Sequence, residues 1–280
     1  MITRLTGAII RAMLVVLLIA TPSLLLPGVS SDGKQIVAFV SLFAAALTIF
    51  EYGAAYPSLV EFRDAPPFNR IRFLSLFATV FILTIIARGQ VEPTTLTQFM
   101  HAVGAIIGVA IDFPYSPVRF VVLMLPNGTS AEQIALIRTT AGMAYLISLV
   151  TLAIFLITLR LQKWPTEGLS FNVWVNLPTF DPSAGADIVR RLERDARINI
   201  LLGFALPFLV PIAMMLAASL FGSVTFVNSQ TMIWVVSAWA FLPASLFMRG
   251  IAMGRIADLI AEKRKLAYAK SESNAAMQAA

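Results

Sequence analysis

The stretch AGMAYLISLVTLAIFLITLR, residues 141–160, has no charged side chain before its last residue. Twenty helical residues rise about 30 Å, which is the thickness of the hydrocarbon core of a bilayer. Because lipid offers no hydrogen-bond partners, a single apolar run that crosses it must satisfy its own backbone, and a helix does so. The stretch therefore predicts a transmembrane helix.

Five further runs have the same character, and together the six explain an unusual composition. The chain has 280 residues, of which 58% are hydrophobic and 13% are charged, about half the charged share of a soluble domain. We predict an all-α, polytopic integral membrane protein with one six-helix domain over residues 1–270 and a disordered tail over 271–280. The predicted spans are residues 8–27, 36–56, 71–88, 141–160, 199–221 and 230–249.

The basic residues predict the orientation of the spans. If the N-terminus is cytoplasmic, 17 of the 21 lysines and arginines lie inside and four lie outside, namely Lys34, Arg88, Arg119 and Arg138. This bias follows the positive-inside rule, so we expect both termini in the cytoplasm, most naturally of a bacterial inner membrane. Anionic headgroups of the inner leaflet then account for the net charge of +6, and no nucleic-acid partner is needed. The first run also resembles a cleavable signal peptide, although we expect an uncleaved anchor.

An unusually apolar external cap is expected over residues 89–140. Residues 96–111 predict a helix too short to span, and after two prolines a second apolar stretch follows at 118–125. Three arrangements fit: two helices lying in the outer interface, a re-entrant hairpin, or two extra crossings. We expect the first, because eight helical residues reach only about 12 Å. A continuous helix over 131–161 would brace the cap.

Two basic amphipathic helices are expected on the cytoplasmic side. One lies in the loop of residues 162–198, flat on the inner leaflet before the fifth span, and the other extends the sixth span. Their charged residues are candidates for docking on lipid headgroups or a partner: Arg190, Arg191, Arg194, Arg197, Arg255, Lys263, Arg264 and Lys265. At the edge of the third span, Arg70 and Arg72 are expected to extend their charged heads to the interface.

Few residues carry recognisable chemistry. The chain has no cysteine and one histidine, so thiolate metal sites and cysteine nucleophiles are excluded. His101 and Asp112 lie near each other in sequence, but a metal would need further ligands, and we interpret the histidine as interfacial. Catalytic motifs such as a Walker loop or His-Glu-x-x-His are absent. We therefore expect no enzyme activity, no cofactor and no metal.

The clearest acid inside a span is Glu51, and Arg11 lies at a similar depth in the first span. We expect an ion pair between them or an interfacial hydrogen bond, and a proton or cation site is the alternative. Two Gly-x-x-x-Gly motifs, beginning at Gly104 and Gly250, are candidates for close helix contacts.

The scarcity of polar groups favours a non-catalytic role. We expect an accessory, assembly or scaffolding subunit that packs against another membrane protein or a second copy of itself. The alternative is a transporter of small solutes or ions, since proline-kinked helices line substrate paths in many transporters. Its path would use Glu51, Asp112, Pro207, Pro211 and Pro243.

Overall fold

The computed structural model describes residues 2–162, 164–165, 172–180, 187–221 and 228–279, and within them the regular structure is helical. The predicted loop of residues 162–198 thus lies partly outside the described residues. The helices are α1 (Ile2–Leu25), α2 (Ser31–Gly53), α3 (Phe68–Arg88), α4 (Thr95–Ile111), α5 (Pro117–Leu123), α6 (Ala131–Leu161), α7 (Val173–Asn176), α8 (Ile188–Phe221) and α9 (Ser229–Ala279).

The predicted fold class is confirmed. Helices α1, α2, α3, α6, α8 and α9 each contain a segment long and apolar enough to cross a membrane. Each overlaps one of the six predicted spans, and the differences lie at the ends. If each of the six crosses the membrane once, both ends of the described chain lie on the same side.

Two buried apolar clusters occupy the two ends of the bundle. One joins Phe62, Phe155, Leu177, Leu192 and Ile256, so it unites the loop after α2 with the ends of α6, α8 and α9. We call this end the basic side, because the arginine-rich segments meet there. The other cluster, at the opposite side, joins α3, α5, α6 and the start of α9 through apolar residues such as Leu83, Val121, Ile137 and Val236.

Helix α9 is the centre of the bundle, whereas α2 is its outermost span. α9 packs against α8, α6 and α3, and the Ser148 hydroxyl of α6 donates to its Ala240 carbonyl over 2.9 Å. α2 packs closely against α1 and against no other described helix. Only two of its residues are buried, Ser41 and Glu51.

Both Gly-x-x-x-Gly motifs lie at helix crossings, as predicted. A Cβ on Gly108 of α4 would lie 2.7 Å from the Arg138 carbonyl oxygen, and one on Gly142 of α6 would lie 2.5 Å from the Gly108 Cα. On α9, a Cβ on Gly250 would lie 2.7 Å from the carbonyl oxygen of Ala196 on α8. Small residues bring these backbones together, which lets dispersion contacts hold the helices in lipid.

Helices α4 and α5 form the expected cap at the opposite side. α4 begins one residue before the predicted helix of 96–111 and ends with it. α5 enters the bundle: Val118 and Val121 are buried, and the ring of Phe120 lies 6.2 Å from that of Phe208. Phe208 is thirteen residues, about 20 Å, from the end of α8. Helix α5 therefore packs between α6 and α8, and the choice among the flat, re-entrant and spanning arrangements of the cap stays a prediction.

The first of the two basic helices differs from the prediction, whereas the second continues the sixth span as expected. Residues 188–198 are the first turns of α8 rather than a separate helix, and part of their apolar face packs on α9. Leu192 and Ala196 are buried there with Ala252 and Ile256. The reason is that α9 continues beyond its span and offers a protein surface. The predicted disordered tail is instead helical to Ala279, because residues after 270 include good helix formers such as Ala, Glu and Gln.

Candidate functional site

Glu51, the acid singled out in the sequence, holds the loop that follows its own helix. Its carboxylate accepts hydrogen bonds from the backbone N–H groups of Ser58, Leu59 and Val60 over 2.9–3.2 Å, and from the Ser58 hydroxyl over 2.5 Å. The residue is 3% exposed. A buried carboxylate with this many donors is stabilised as the anion, so its place in the structure is that of a loop anchor.

Arg11 does not form an ion pair with Glu51. Its guanidinium carbon lies 4.6 Å from the centroid of the Tyr52 ring, and its Nη1 donates to the Gly7 carbonyl over 2.8 Å. The two residues are therefore neighbours through Tyr52. Of the two interpretations made from the sequence, the geometry matches a hydrogen-bonded acid and not the cross-helix pair.

The loop of residues 54–67 is tied to distant parts of the chain. Arg63 donates to the carbonyls of Glu51 and Ala54 at the C-terminal end of α2, where a cation is favoured by the helix dipole. The Glu61 carboxylate accepts two hydrogen bonds from Arg249 of α9, over 2.6 and 2.7 Å. The backbone carbonyl of Asn176 in α7 accepts a hydrogen bond from the Phe62 N–H over 2.7 Å. The loop is therefore a rigid floor beneath α1, α2 and α3.

Above this floor lies a cavity of about 580 Å³ between α1, α2, α3 and α9, which we call the arginine cavity. Four arginines line it, together with the Tyr52 and Glu61 side chains. Two of these arginines, Arg70 and Arg72, had been expected to reach the membrane interface. Instead, Arg72 points into the protein, with its guanidinium carbon 5.3 Å from the Phe68 ring and 5.9 Å from the Phe241 ring.

The positive charge of the arginine cavity is only partly balanced. Glu61 is engaged by Arg249, and Arg63 lies 3.3 Å from the Asp64 carboxylate. Among the described residues, no carboxylate lies within 4 Å of the guanidinium of Arg11, Arg70 or Arg72. The Nε of Arg72 is buried and donates no hydrogen bond within the described part of the chain. Three guanidinium groups thus face one cavity without a paired anion.

The other residues of the predicted transport path lie elsewhere. Asp112 is at the opposite side, where its carboxylate lies 2.7 Å from Arg138 Nε and 2.9 Å from Arg119 Nε. The side chain is 5% exposed, so the three charges fasten α4, α5 and α6 together. They do not approach Glu51.

The predicted prolines lie beside an apolar groove. Pro211 removes the donor for the carbonyl of Pro207, and the indole Nε1 of Trp239 donates to that carbonyl over 3.0 Å. Pro211 and Pro243 line a groove of about 270 Å³ whose other walls are aliphatic, methionine and tryptophan side chains. Trp239 thus satisfies the carbonyl that Pro211 leaves without a donor, and the groove is lined by apolar side chains that offer a solute little to bind.

The predicted docking residues lie at the basic side, on the ends of α8 and α9, two helices that pack against each other. Arg191 lies over the Phe180 ring, and Arg264 Nη1 donates to Asp187 over 2.5 Å. This hydrogen bond lowers the pKa of the Asp187 carboxyl below its ordinary value. Arg194 and Arg197 are largely exposed, with side-chain exposures of 67% and 75%. The remaining members, Arg190, Arg255, Lys263 and Lys265, lie on the same two helices.

No metal centre emerges from the described residues, where no group of three potential ligands converges. His101 borders a shallow pocket with Gln90, Thr97 and Gln98, a polar surface that resembles the interfacial setting expected for it. The arginine cavity is the site that sequence reasoning missed. Its only signal was the spacing of Arg70 and Arg72 at the start of an apolar span. No family model, no curated protein and no solved structure matches this chain.

Proposed function

We propose that this protein is a non-catalytic accessory or scaffolding subunit of a membrane assembly. The observation that carries the proposal is the position of α2, a candidate membrane span whose backbone packs closely on α1 alone among the described helices. Its two faces differ. Ser41, Ala45 and Thr48 lie on one face at 100° per residue, and a ridge of large apolar residues lies opposite. The ridge consists of Ile36, Phe39, Val40, Phe43, Leu47 and Phe50, all exposed or partly exposed.

The aromatic members of this ridge support a protein partner. Phe39, Phe43 and Phe50 are 66–72% exposed, and aromatic side chains supply large contact areas with few rotatable bonds. A second membrane helix that packs along α2 would bury them. What favours this role over transport is that Glu51, Asp112 and the prolines are each engaged in separate structural interactions and do not share a path.

The orientation proposed with this function places the basic side in the cytoplasm of a bacterial cell. The support is the 17 to 4 division of the basic residues, since the segments at the basic side carry all the arginine-rich stretches. There the basic ends of α8 and α9 would face anionic inner-leaflet headgroups.

Photo-crosslinking in living cells tests the proposal. A benzophenone amino acid at Phe43 should give one discrete adduct, whereas the same probe at Ile157 of α6, also exposed at 57%, should give only lipid-dependent background. Purification in mild detergent should then recover the crosslinked partner in a fixed ratio. Equal products at both positions would contradict the proposal. So would a folded Glu51→Gln variant that abolishes a solute-dependent flux in reconstituted vesicles.

A further inference from the structure

We infer that the arginine cavity binds the phosphate headgroup of an anionic phospholipid from the leaflet at the basic side. The inference is independent of the proposed scaffolding role, because it rests on different residues. Arg11, Arg70 and Arg72 bring three positive charges to one cavity, and within the described chain no carboxylate lies within 4 Å of their guanidinium groups, although Glu61, which is held by Arg249, lines the same cavity.

The unpaired donor of Arg72 points to a ligand. Its Nε is buried and makes no hydrogen bond with the described residues, and buried polar groups in folded proteins are almost always satisfied. Guanidinium groups bind phosphate oxygens through paired N–H donors, so a phosphate in the cavity would supply the missing negative charge beside the Arg72 guanidinium.

The remainder of the cavity wall fits an amphiphile rather than a free anion. Arg72 is four residues, about 6 Å, from the start of α3, and Leu76 lies one turn deeper in the same wall. On α1, Leu14 likewise lies about one turn deeper than Arg11. The deeper wall of the cavity is therefore apolar beside Arg11 and Arg72, as the first acyl carbons of a lipid require.

The neighbouring groups favour recognition over simple attraction. Tyr52 presents a phenol beside Arg11, which adds a hydrogen-bond donor for a phosphate oxygen or a glycerol hydroxyl. The floor is immobilised by Glu51 and by the pair of Glu61 with Arg249. A volume of about 580 Å³ lies within the usual range for small-molecule sites, roughly 300–1,000 Å³.

The experiment measures lipid retention. The full chain is placed in nanodiscs of phosphatidylcholine with or without 20% phosphatidylglycerol, released into mild detergent, and weighed by native mass spectrometry. We expect one retained phosphatidylglycerol per chain and no comparable retention of phosphatidylcholine. Arg72→Gln removes a charge-assisted contact, so retention should fall about ten-fold or more. Arg72→Lys keeps the charge but not the paired donors, so it should reduce retention of phosphatidylglycerol by less than Arg72→Gln does.

Matched variants decide between a site and general attraction. Arg70→Gln changes an exposed cavity residue without disturbing a packed one, and it should also weaken lipid retention. Arg197→Gln removes the same charge from the exposed surface of α8, and it should leave lipid retention unchanged. Equal losses in Arg70→Gln and Arg197→Gln, or equal retention of the two lipids, would overturn the inference. If 10 mM inorganic phosphate displaced the lipid completely, the site would belong to a soluble anion and the assignment to lipid would fail.

Discussion

Replacing Gly250 by alanine should weaken the pairing of α8 with α9, whereas Gly254→Ala on the same face should not. A Cβ at position 250 would lie 2.7 Å from the Ala196 carbonyl oxygen and 3.0 Å from the Ile200 backbone nitrogen. At position 254 the nearest atom would be the Ala196 Cβ at 3.9 Å, an ordinary contact. Because backbone atoms cannot rotate away, the two helices must separate by several tenths of an ångström in the first variant only.

The magnitudes follow from this difference. Overpacking costs about 1–3 kcal/mol, and a clash with backbone atoms belongs to the upper part of that range, about 2–3 kcal/mol. The better helix propensity of alanine returns at most about 1 kcal/mol. The expected net result for Gly250→Ala is a loss of about 1–2 kcal/mol in the free energy of unfolding. Gly254→Ala should gain up to about 1 kcal/mol, since it receives the propensity gain without the clash.

Reversible unfolding in mixed micelles, driven by increasing SDS and followed by tryptophan fluorescence, measures both variants against the unchanged chain. Linear extrapolation of the transition gives each free energy of unfolding. The reasoning is refuted if Gly250→Ala is as stable as the parent chain. It is equally refuted if both variants shift in the same direction by the same amount.

Three further predictions concern single interactions. Glu51→Ala leaves three backbone N–H groups of the loop unpaired and should cost about 3 kcal/mol or more in the same unfolding assay. Trp239→Phe removes the donor that satisfies the Pro207 carbonyl and should cost about 1–2 kcal/mol. The hydrogen bond from Arg264 lowers the pKa of Asp187 in the folded state, so its contribution is complete above the ordinary aspartate pKa of about 3.9 and is lost as the pH falls through the lowered value. A spin label beside Asp187, at the start of α8, should accordingly become more mobile in that acidic range.

Each of these predictions has a matched control. Glu262→Ala changes an exposed glutamate that makes no hydrogen bond with the described residues, and it should shift stability by less than about 0.5 kcal/mol. Trp234→Phe alters an indole without a hydrogen-bond acceptor in the described chain, so a cost equal to that of Trp239→Phe would contradict the role given to Pro207. Asp187→Asn should abolish the acid-dependent change in the mobility of the label. Since the chain has no cysteine, labels are placed without background sites.

The membrane architecture was predictable because lipid imposes a simple rule on every span. A run such as residues 141–160 must be helical and about 20 residues long, whatever it packs against. Another local pattern, small residues four positions apart, identified Gly108 and Gly250 as candidates for close contacts, since such residues expose the backbone of a helix. It could not decide the depth of α5, because Val118 and Val121 contact residues that are distant in sequence.

The basic helices show where local patterns are ambiguous. The apolar stripe through Leu192 and Ala196 suits a lipid surface and a protein surface equally well. The hairpin of α8 and α9 decides between them, because its two helices run antiparallel and continue together beyond the span. The sequence shows that the first turns of α8 and the last turns of α9 are both amphipathic. When these two segments are considered together, their apolar stripes indicate that they pack against each other.

The site was harder to predict, because each side chain has a distant or unexpected partner. Glu51 was identified as the important acid, but its donors come from a loop whose conformation is fixed by Asn176 and Arg249. Arg72 has the position of an arginine that reaches the interface. Only the packing of Phe68 and Phe241, which are 173 residues apart, directs it into a cavity. Patterns within one window carry no information about such pairs.

The central place of α9 has a consequence for biosynthesis. It is the last of the six spans to leave the ribosome, yet it supplies partners for α3, α6 and α8 and the arginine that holds Glu61. Until it is inserted, the earlier spans lie in the bilayer with an unfilled centre and an unpaired acid at the surface. We expect the nascent protein to depend on the insertion machinery or a chaperone for that interval, and a chain that stops before Ser229 to be degraded.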